Sequence, residues 1–329
     1  MSKTIAILAP GAMGSAVARR LSEHGARVLT SLEGRSEATR KRAADAGMVG
    51  ADDDAIAGAD IILSIVPPGE AVALAERLAA LIVRREKKPV VVDCNAVNVD
   101  TVQRIEEIIG SAQAPFVDGG IIGFPPQPGA KSPAFYMSGE HAKDVAVLKD
   151  LGLDVRIVEG PVGAASALKM SYAGIVKGLA GIGSAMVIAA TKAGAADALR
   201  DELALSQPAI LARLEVALPD MIPKAYRWVA EMREISGFLG PDHPASQIYE
   251  GFAKWFEHLA EDAQGEAADT DLMKAFAARI VQKKSGSSGL TTRLSIICRA
   301  PNPENSGCPD RVSSARPGRQ RHTAHARPR

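Results

Sequence analysis

Two glycines three residues apart, Gly11 and Gly14, stand between an apolar run and an alanine-rich stretch in Thr4–Leu21, TIAILAPGAMGSAVARRL. The apolar residues read as a strand, Pro10 and Gly11 as a tight turn, and the alanine-rich stretch as a helix. A helix N-terminus carries unpaired N–H groups and a partial positive charge, so this spacing makes a seat for a pyrophosphate. The Gly-x-Gly-x-x-Gly fingerprint of dinucleotide binding stands here as Ala9-Pro10-Gly11-Ala12-Met13-Gly14, with Ala in the place of the first glycine. Gly11 still lets the backbone approach a pyrophosphate, and Gly14 still lets the helix close on the strand. Pro10, Gly11, Ala12, Met13 and Gly14 are therefore the candidate cofactor loop, although an ordinary βα turn reads the same way. Asn95 follows an apolar strand pattern, at the carboxyl edge where ligands bind in such sheets. It touches a ligand there, or it is a turn asparagine satisfied by its own loop. Arg227, Glu231 and Glu234 share one helical pattern at spacings of four and three, and either reach into a cleft or pair along their own face. No metal-ligand cluster and no Ser-His-Asp arrangement stands out: His24, His141, His243 and His258 are scattered, and His322 and His325 are far from them.

The elements that must position these residues alternate through the first half. Strand patterns fall at Thr4–Leu8, Arg27–Leu32, Ala59–Val66, Pro89–Asp93, Pro115–Asp118, Ala134–Ser138 and Asp154–Val158; helix patterns at Ser15–His24, Ser36–Ala46, Glu70–Arg84 and Val99–Ile109 lie between the earlier ones. This alternation predicts a mostly parallel, doubly wound α/β sheet of the Rossmann type over residues 1–162. From Gly163 on, the patterns are helical: Ala164–Lys192, Asp197–Glu215, Ile222–Ser236, Pro244–Ala263 and Asp269–Lys283, an all-α C-terminal domain over 163–284. Residues 285–329 are rich in Pro, Ser, Arg and Gly and lack periodicity, as expected of a disordered basic tail.

A length of 329 residues fits about two domains, and 47% hydrophobic residues supply their cores. The net charge of +1 gives no field that points to nucleic acid or a membrane. It hides an asymmetry, because Gly286–Arg329 holds eight Arg against Glu304 and Asp310. Cys94, Cys298 and Cys308 offer neither a disulfide framework nor a metal spacing. The first strand begins without a signal-peptide pattern, and Lys169 and Lys177 interrupt the most apolar long segment. The expectation is a soluble, cytoplasmic protein with a small-molecule partner, no nucleic acid and no membrane.

Four stretches resemble the 3-hydroxyisobutyrate / 6-phosphogluconate dehydrogenase superfamily of β-hydroxyacid dehydrogenases. APGAMG followed by SAVARRL is similar to its GLGxMG loop. ADIILSIVPP is similar to its strand that ends in a Val-Pro or Leu-Pro loop over the cofactor, which places Val66 and Pro67 there. DCNAV at Asp93–Val97 and FVDGGIIG at Phe116–Gly123 match its DxST and DAPVSGG stretches. GPVGAASALKMSYAG at Gly160–Gly174 matches the glycine-rich entry to a long helix that bears the catalytic lysine. The resemblance covers about the first 195 residues. AYRWVAEMREISGFL, Ala225–Leu239, resembles a sub-branch whose C-terminal domain was long catalogued only as a domain of unknown function.

The resemblance implies hydride transfer between a nicotinamide and a hydroxy or carbonyl compound, with Lys169 as general acid/base. The chain also departs from the family. Asn is expected four residues after the lysine, where Ala173 stands, and the phenol of neighbouring Tyr172 either replaces that amide or packs in the core. Lys177, two turns on, is a second cation in the cleft or a solvated residue. Where the family holds a carboxylate with Ser-Gly-Gly, this chain has Ile122-Gly123-Phe124: the hydroxyl is lost, an apolar wall replaces it, and a larger or less polar substrate is implied. For the cofactor, the strand-end position aligns with Leu32 rather than an acid. Arg35 and Ser36 sit where a 2′-phosphate would lie, which points to NADP, while Glu33 argues for NAD. Imine reduction with Tyr172 sharing the proton transfer is an alternative, and a nucleotide-binding sensor that has lost catalysis is another. The family also implies a homodimer through the long helix, whose Gly174, Gly178, Gly181 and Gly183 would allow close approach, between subunits or within one.

Overall fold

The computed structural model describes residues 2–127 and 129–285. The basic tail expected from the composition lies outside them. Eight strands form one sheet: β1 (Thr4–Ile7), β2 (Arg27–Thr30), β3 (Met48–Gly50), β4 (Ile61–Ser64), β5 (Val90–Asp93), β6 (Phe116–Ile122), β7 (Ala134–Ser138) and β8 (Asp154–Ile157). Their order is β3-β2-β1-β4-β5-β6-β7-β8. The first six run parallel; β7 is antiparallel to β6, and β8 is parallel to β7. Helices α1 (Ala12–Glu23), α2 (Glu37–Asp45), α3 (Asp53–Ala57), α4 (Ala71–Ile82) and α5 (Val99–Ser111) join the parallel strands. The central strands are apolar on both faces because both are covered. In β1, Ile5 and Ile7 pack with Leu21 and Phe135, while Ala6 turns to the opposite core with Ile62, Leu78 and Ile105. The chain reverses between β1 and β4, which leaves a crevice at their carboxyl ends.

The alternation of strands and helices is as expected from the sequence, with local differences. Neither β3 nor α3 carries a sequence pattern long enough to see; α3 rests on Asp52, whose carboxylate accepts the Ala55 N–H at 2.8 Å. β6 runs four residues past Asp118, through two glycines. A Cβ on Gly120 would lie 2.8 Å from the Ala165 carbonyl oxygen, so a helix approaching the strand selects that glycine. A ten-residue 3-10 helix, Glu140–Lys149, joins β7 to β8.

The second half is helical: α6 (Ala164–Lys192), α7 (Ala196–Ser206), α8 (Pro208–Met221), α9 (Ala225–Leu239), α10 (Ser246–Gln264) and α11 (Ala268–Ser285). The single helix expected over 197–215 is broken at Gln207, because Pro208 cannot donate an N–H and crowds the preceding residue. By length and composition α6 satisfies the criteria for a bilayer span, in spite of the two lysines counted against it. In the fold it is the helix around which α8, α9 and α10 assemble. Its glycines serve that packing: added Cβ atoms would lie 2.8 Å from the Tyr249 hydroxyl at Gly174, 2.7 Å from Phe252 at Gly181 and 2.2 Å from Leu214 at Gly183. They are therefore filled within the subunit, and the close approach they allow is internal.

Candidate active site

At the carboxyl end of β1, Gly11 is the N-cap of α1. No side chain caps that turn and no acidic residue lies in it. The first-turn N–H groups are thus unclaimed by side chains. A Cβ on Gly11 would meet nothing within 4 Å, whereas one on Gly14 would lie 2.1 Å from the Ala9 carbonyl oxygen. Gly14 is therefore required by helix–strand contact, and Gly11 faces open space. Alanine is tolerated at the first fingerprint position because Ala9 does not have the positive φ that would demand glycine. Ser15 Oγ donates to the Gly11 carbonyl at 2.7 Å and Arg42 to the Pro10 carbonyl at 3.2 Å, which fixes the loop from both sides.

Beside it lies a cavity of about 250 Å³, whose lining includes Leu8, Ser31, Arg35, Val66, Glu70 and Arg77. Arg35 and Val66 both line it, with Pro67 exposed next to Val66. Ser36 does different work. It caps α2, accepting the Thr39 N–H at 3.3 Å with its hydroxyl 3.0 Å from that of Thr39. Arg77 is a cation that sequence reasoning missed: it enters from α4 and is ion-paired with Asp53. On an amphipathic helix it reads as an ordinary surface arginine.

At the other end of the crevice the loop after β5 is held by Asn95. Its Oδ1 accepts the Val66 N–H at 2.6 Å, and its Nδ2 donates to Ser64 Oγ at 2.8 Å and to Asp93 at 2.7 Å. Both amide hydrogens are thereby used and the side chain is buried, so Asn95 ties the β4 and β5 loops together and has no donor left for a ligand. Its backbone carbonyl accepts from Lys169 Nζ at 3.1 Å, with the Cys94 carbonyl at 3.5 Å. Lys169 is half-buried by area, but its ammonium lies deep in the groove. Burial lowers its pKa below the ordinary lysine value, opposed by the acidic groups around it: Cys94, Asp93 and Asp118. Asp93, also buried, is pushed up to about 6 by desolvation, against its hydrogen bonds from Asn95 and the charge of Lys169.

Asp118, on β6, was not singled out from the sequence. Its carboxylate takes the N–H groups of Gly163, Ala165 and Ser166 at 2.9–3.0 Å and the hydroxyls of Ser138 and Ser166 at 2.9 and 2.6 Å. A buried acid thus caps α6 and sets the position of Lys169, one turn along. The available signal was an aspartate inside an otherwise apolar strand.

Ile122 is half-buried at the end of β6. Gly123 has φ +133°, and Phe124 is 74% exposed. Lys224 Nζ lies 5.0 Å from the Phe124 ring centre. Tyr172 is 48% exposed, which excludes the core reading, and its hydroxyl makes no hydrogen bond among the described residues. Lys177 is partly buried against α9, ion-paired with Glu231 and 5.2 Å from the Trp228 ring centre. Burial pushes its pKa down to about 7, with Lys169, Arg227 and Lys224 adding; the Glu231 carboxylate in contact with it pulls the other way. Glu234 accepts the Asn98 N–H at 3.0 Å. The acids of α9 therefore reach across to α6 and to the β5 loop instead of pairing along their own helix.

Comparison with known proteins agrees with this layout. Residues 4–151 match the NAD binding domain of 6-phosphogluconate dehydrogenase, and residues 190–259 match a domain of unknown function, DUF1932. An uncharacterized 28.5 kDa protein of Methanothermus fervidus is 32% identical over 180 residues, 54% of this chain and 66% of that protein, so the alignment falls just short of two thirds of its length. A conserved protein of unknown function, described as structurally similar to 3-hydroxyacid dehydrogenases, superposes with a TM-score of 0.65 at 25% identity, over 79% of this chain and 98% of that one. An imine reductase from Myxococcus stipitatus in complex with NADP+ shares the fold at 19% identity and a TM-score of 0.52, over 84% and 99% of the two chains.

Proposed function

We propose, for a chain that belongs to the 3-hydroxyisobutyrate / 6-phosphogluconate dehydrogenase superfamily and to its DUF1932 branch, an NADP-dependent oxidoreductase that interconverts a hydroxy and a carbonyl compound. The residues present fit a dinucleotide: an α1 N-terminus without a side-chain cap, a glycine edge open to solvent and a cavity at the strand ends. The turn Gly11-Ala12-Met13 would hold the pyrophosphate. Val66 and Pro67 would border the cofactor, and Arg35 with Arg77 would take a 2′-phosphate. When bound, the nicotinamide supplies the hydride.

The observation that carries the reading is the placement of Lys169. Its ammonium is held 3.1 Å from the Asn95 carbonyl, at the carboxyl edge of the sheet, on a helix anchored by the buried Asp118. In reduction, Lys169 gives a proton from Nζ to the substrate oxygen as the C–O π pair moves onto that oxygen. The neutral amine then regains its proton from solvent. The carbonyls of Cys94 and Asn95 orient the donor throughout. Because burial lowers the lysine's pKa, the donor is lost at lower pH than a free lysine would be, and the reduction rate falls along an alkaline limb below 10.5. Lys169→Ala is expected to cut NADPH oxidation by about 10²–10⁴ and to remove that limb, while NADPH still binds by fluorescence titration. Turnover that survives intact rules Lys169 out as the acid.

One observation favours a second reading, imine reduction: Tyr172, next to the alanine that replaces the family's asparagine, offers a free phenol near Lys169. A panel of imines beside aldehydes and ketoacids separates the two. The assembly we infer is a homodimer through the helical region. Its support is the exposed stripe Leu168, Tyr172, Ile175, Ile182 and Met186 on α6, in the positions left after the glycine face is buried.

A further inference from the structure

We propose that Glu234 is a positioning residue for Lys169: from α9 it fixes the loop between β5 and α5, whose backbone carbonyls orient the lysine's ammonium. This role rests on the oxidoreductase reading above, in which Lys169 gives the proton, and adds to it a residue of the helical region.

Asn98 is the N-cap of α5, and its Oδ1 accepts the Thr101 N–H at 2.9 Å. A capping box would complete such a turn with a Glu or Gln three residues after the cap, reaching back to the cap's own N–H. Thr101 stands at that position, so the Asn98 N–H must find its acceptor elsewhere. Glu234 Oε2 accepts it at 3.0 Å, from 136 residues along the chain. The missing half of the capping box is thus supplied by α9. The approach is close: a Cβ on Gly237, one turn further along α9, would lie 3.1 Å from Asn98 Nδ2. Burial raises the pKa of Glu234, and the hydrogen bond from Asn98 opposes it.

The loop held in this way is short, and each of its residues is tied to something. Cys94 and Asn95 direct their carbonyls to Lys169 Nζ at 3.5 and 3.1 Å. Asn95 also holds the Val66 N–H, Ala96 packs against the helical core that contains Met232 and Ile235, and Val97 is buried in the sheet core. Removing the acceptor from Asn98 frees the end of the loop, and the carbonyls three and four residues before it shift as well. Those carbonyls are the hydrogen-bond acceptors of the Lys169 ammonium among the described residues, so their withdrawal disfavours its charged form. The ionisable groups that bear on Lys169 are Cys94, Asp93 and Asp118 and, of like charge, Lys177. Glu234 is not one of them, and its influence runs through the loop instead of through its charge.

The test compares Glu234→Gln, which keeps an acceptor without the charge, with Glu234→Ala and with Glu234→Met, which keeps the length and serves if the alanine variant fails to fold. Each protein, prepared with isotope-labelled lysine, is titrated by NMR, and the Lys169 signal is assigned by its loss in Lys169→Arg. In the alanine and methionine variants Lys169 should titrate about one pH unit lower than in wild type. In Glu234→Gln it should titrate as in wild type. The alkaline limb of NADPH oxidation should move with it, and kcat should fall by about tenfold or more in the two variants without an acceptor. The same titration in all four proteins overturns the proposal, even if the urea midpoint falls, because Glu234 is then a brace and nothing more. A shift in Glu234→Gln as large as in Glu234→Ala also overturns it, since the carboxylate would then act by its charge. The expected shifts in a protein that reduces no carbonyl compound or imine support the placement of Lys169 by Glu234 and count against the oxidoreductase reading alone.

Discussion

Lys169 owes its position to residues that carry no catalytic signature of their own. Asp118 accepts five hydrogen bonds, four of them from the first turn of α6 and the residue before it. Asp118→Ala would leave those donors unpaired in a site closed to water, except the Ala165 N–H, which also donates to Ser138 Oγ at 2.9 Å, at about 1–3 kcal/mol for each group left unsatisfied. We expect a loss of about 3 kcal/mol or more, read as a shift of the urea midpoint at constant m-value. A loss under about 1 kcal/mol would mean that water replaces the carboxylate there. Asn95 teaches the converse lesson. It stands at the sheet edge where ligands bind, yet its amide is wholly used by Val66, Ser64 and Asp93, and what it presents to the groove is a backbone carbonyl. Nothing in the sequence separates a ligand-facing asparagine from one that braces a loop, because the difference lies in which neighbours the two strand ends bring within 3 Å.

At the scale of elements, the βα units were legible because each combines an apolar strand with a signal that stops it. Ser36 before α2 and the glycine after it, Pro67 after β4 and Gly163 before α6 mark boundaries that the structure keeps to within a few residues. The short elements β3 and α3 were not legible, since three to five residues give no period. Their placement matters, because Asp53 on α3 is the residue that holds Arg77 at the cavity. Arg77 and Arg35 lie on different elements, α4 and the β2–α2 loop, and only the sheet order makes them neighbours. If they share a 2′-phosphate, the double variant Arg35→Ala/Arg77→Ala should lower the preference for NADPH over NADH by about tenfold or more, as a ratio of dissociation constants. A ratio unmoved by the double change would assign the cavity to some other part of the cofactor.

At the scale of the whole molecule, α6 connects everything: its first turn is capped by the sheet, its lysine faces the crevice and its glycine face receives α8, α9 and α10. The remaining face bears Leu168, Tyr172, Ile175, Ile182 and Met186, the last four 48–72% exposed, at spacings of four, three, seven and four residues, those of an apolar seam. A second copy would cover it, so sedimentation should find a dimer at micromolar concentration, and Ile175→Asp/Ile182→Asp should yield a folded monomer. A monomeric wild type would remove the proposed interface. The glycine turn between β1 and α1, the alternation of strands and helices and the long lysine-bearing helix were determined by the sequence alone, because each depends on local periodicity, turn chemistry and a motif of fixed spacing. Which face of α6 is buried, the capping of that helix by Asp118, the use of the Asn95 amide between the β4 and β5 loops and the pairing of Lys177 with Glu231 were decided by the tertiary structure. Those depend on contacts between residues tens to more than a hundred positions apart, where burial and shared partners, not spacing along the chain, fix what a side chain can do.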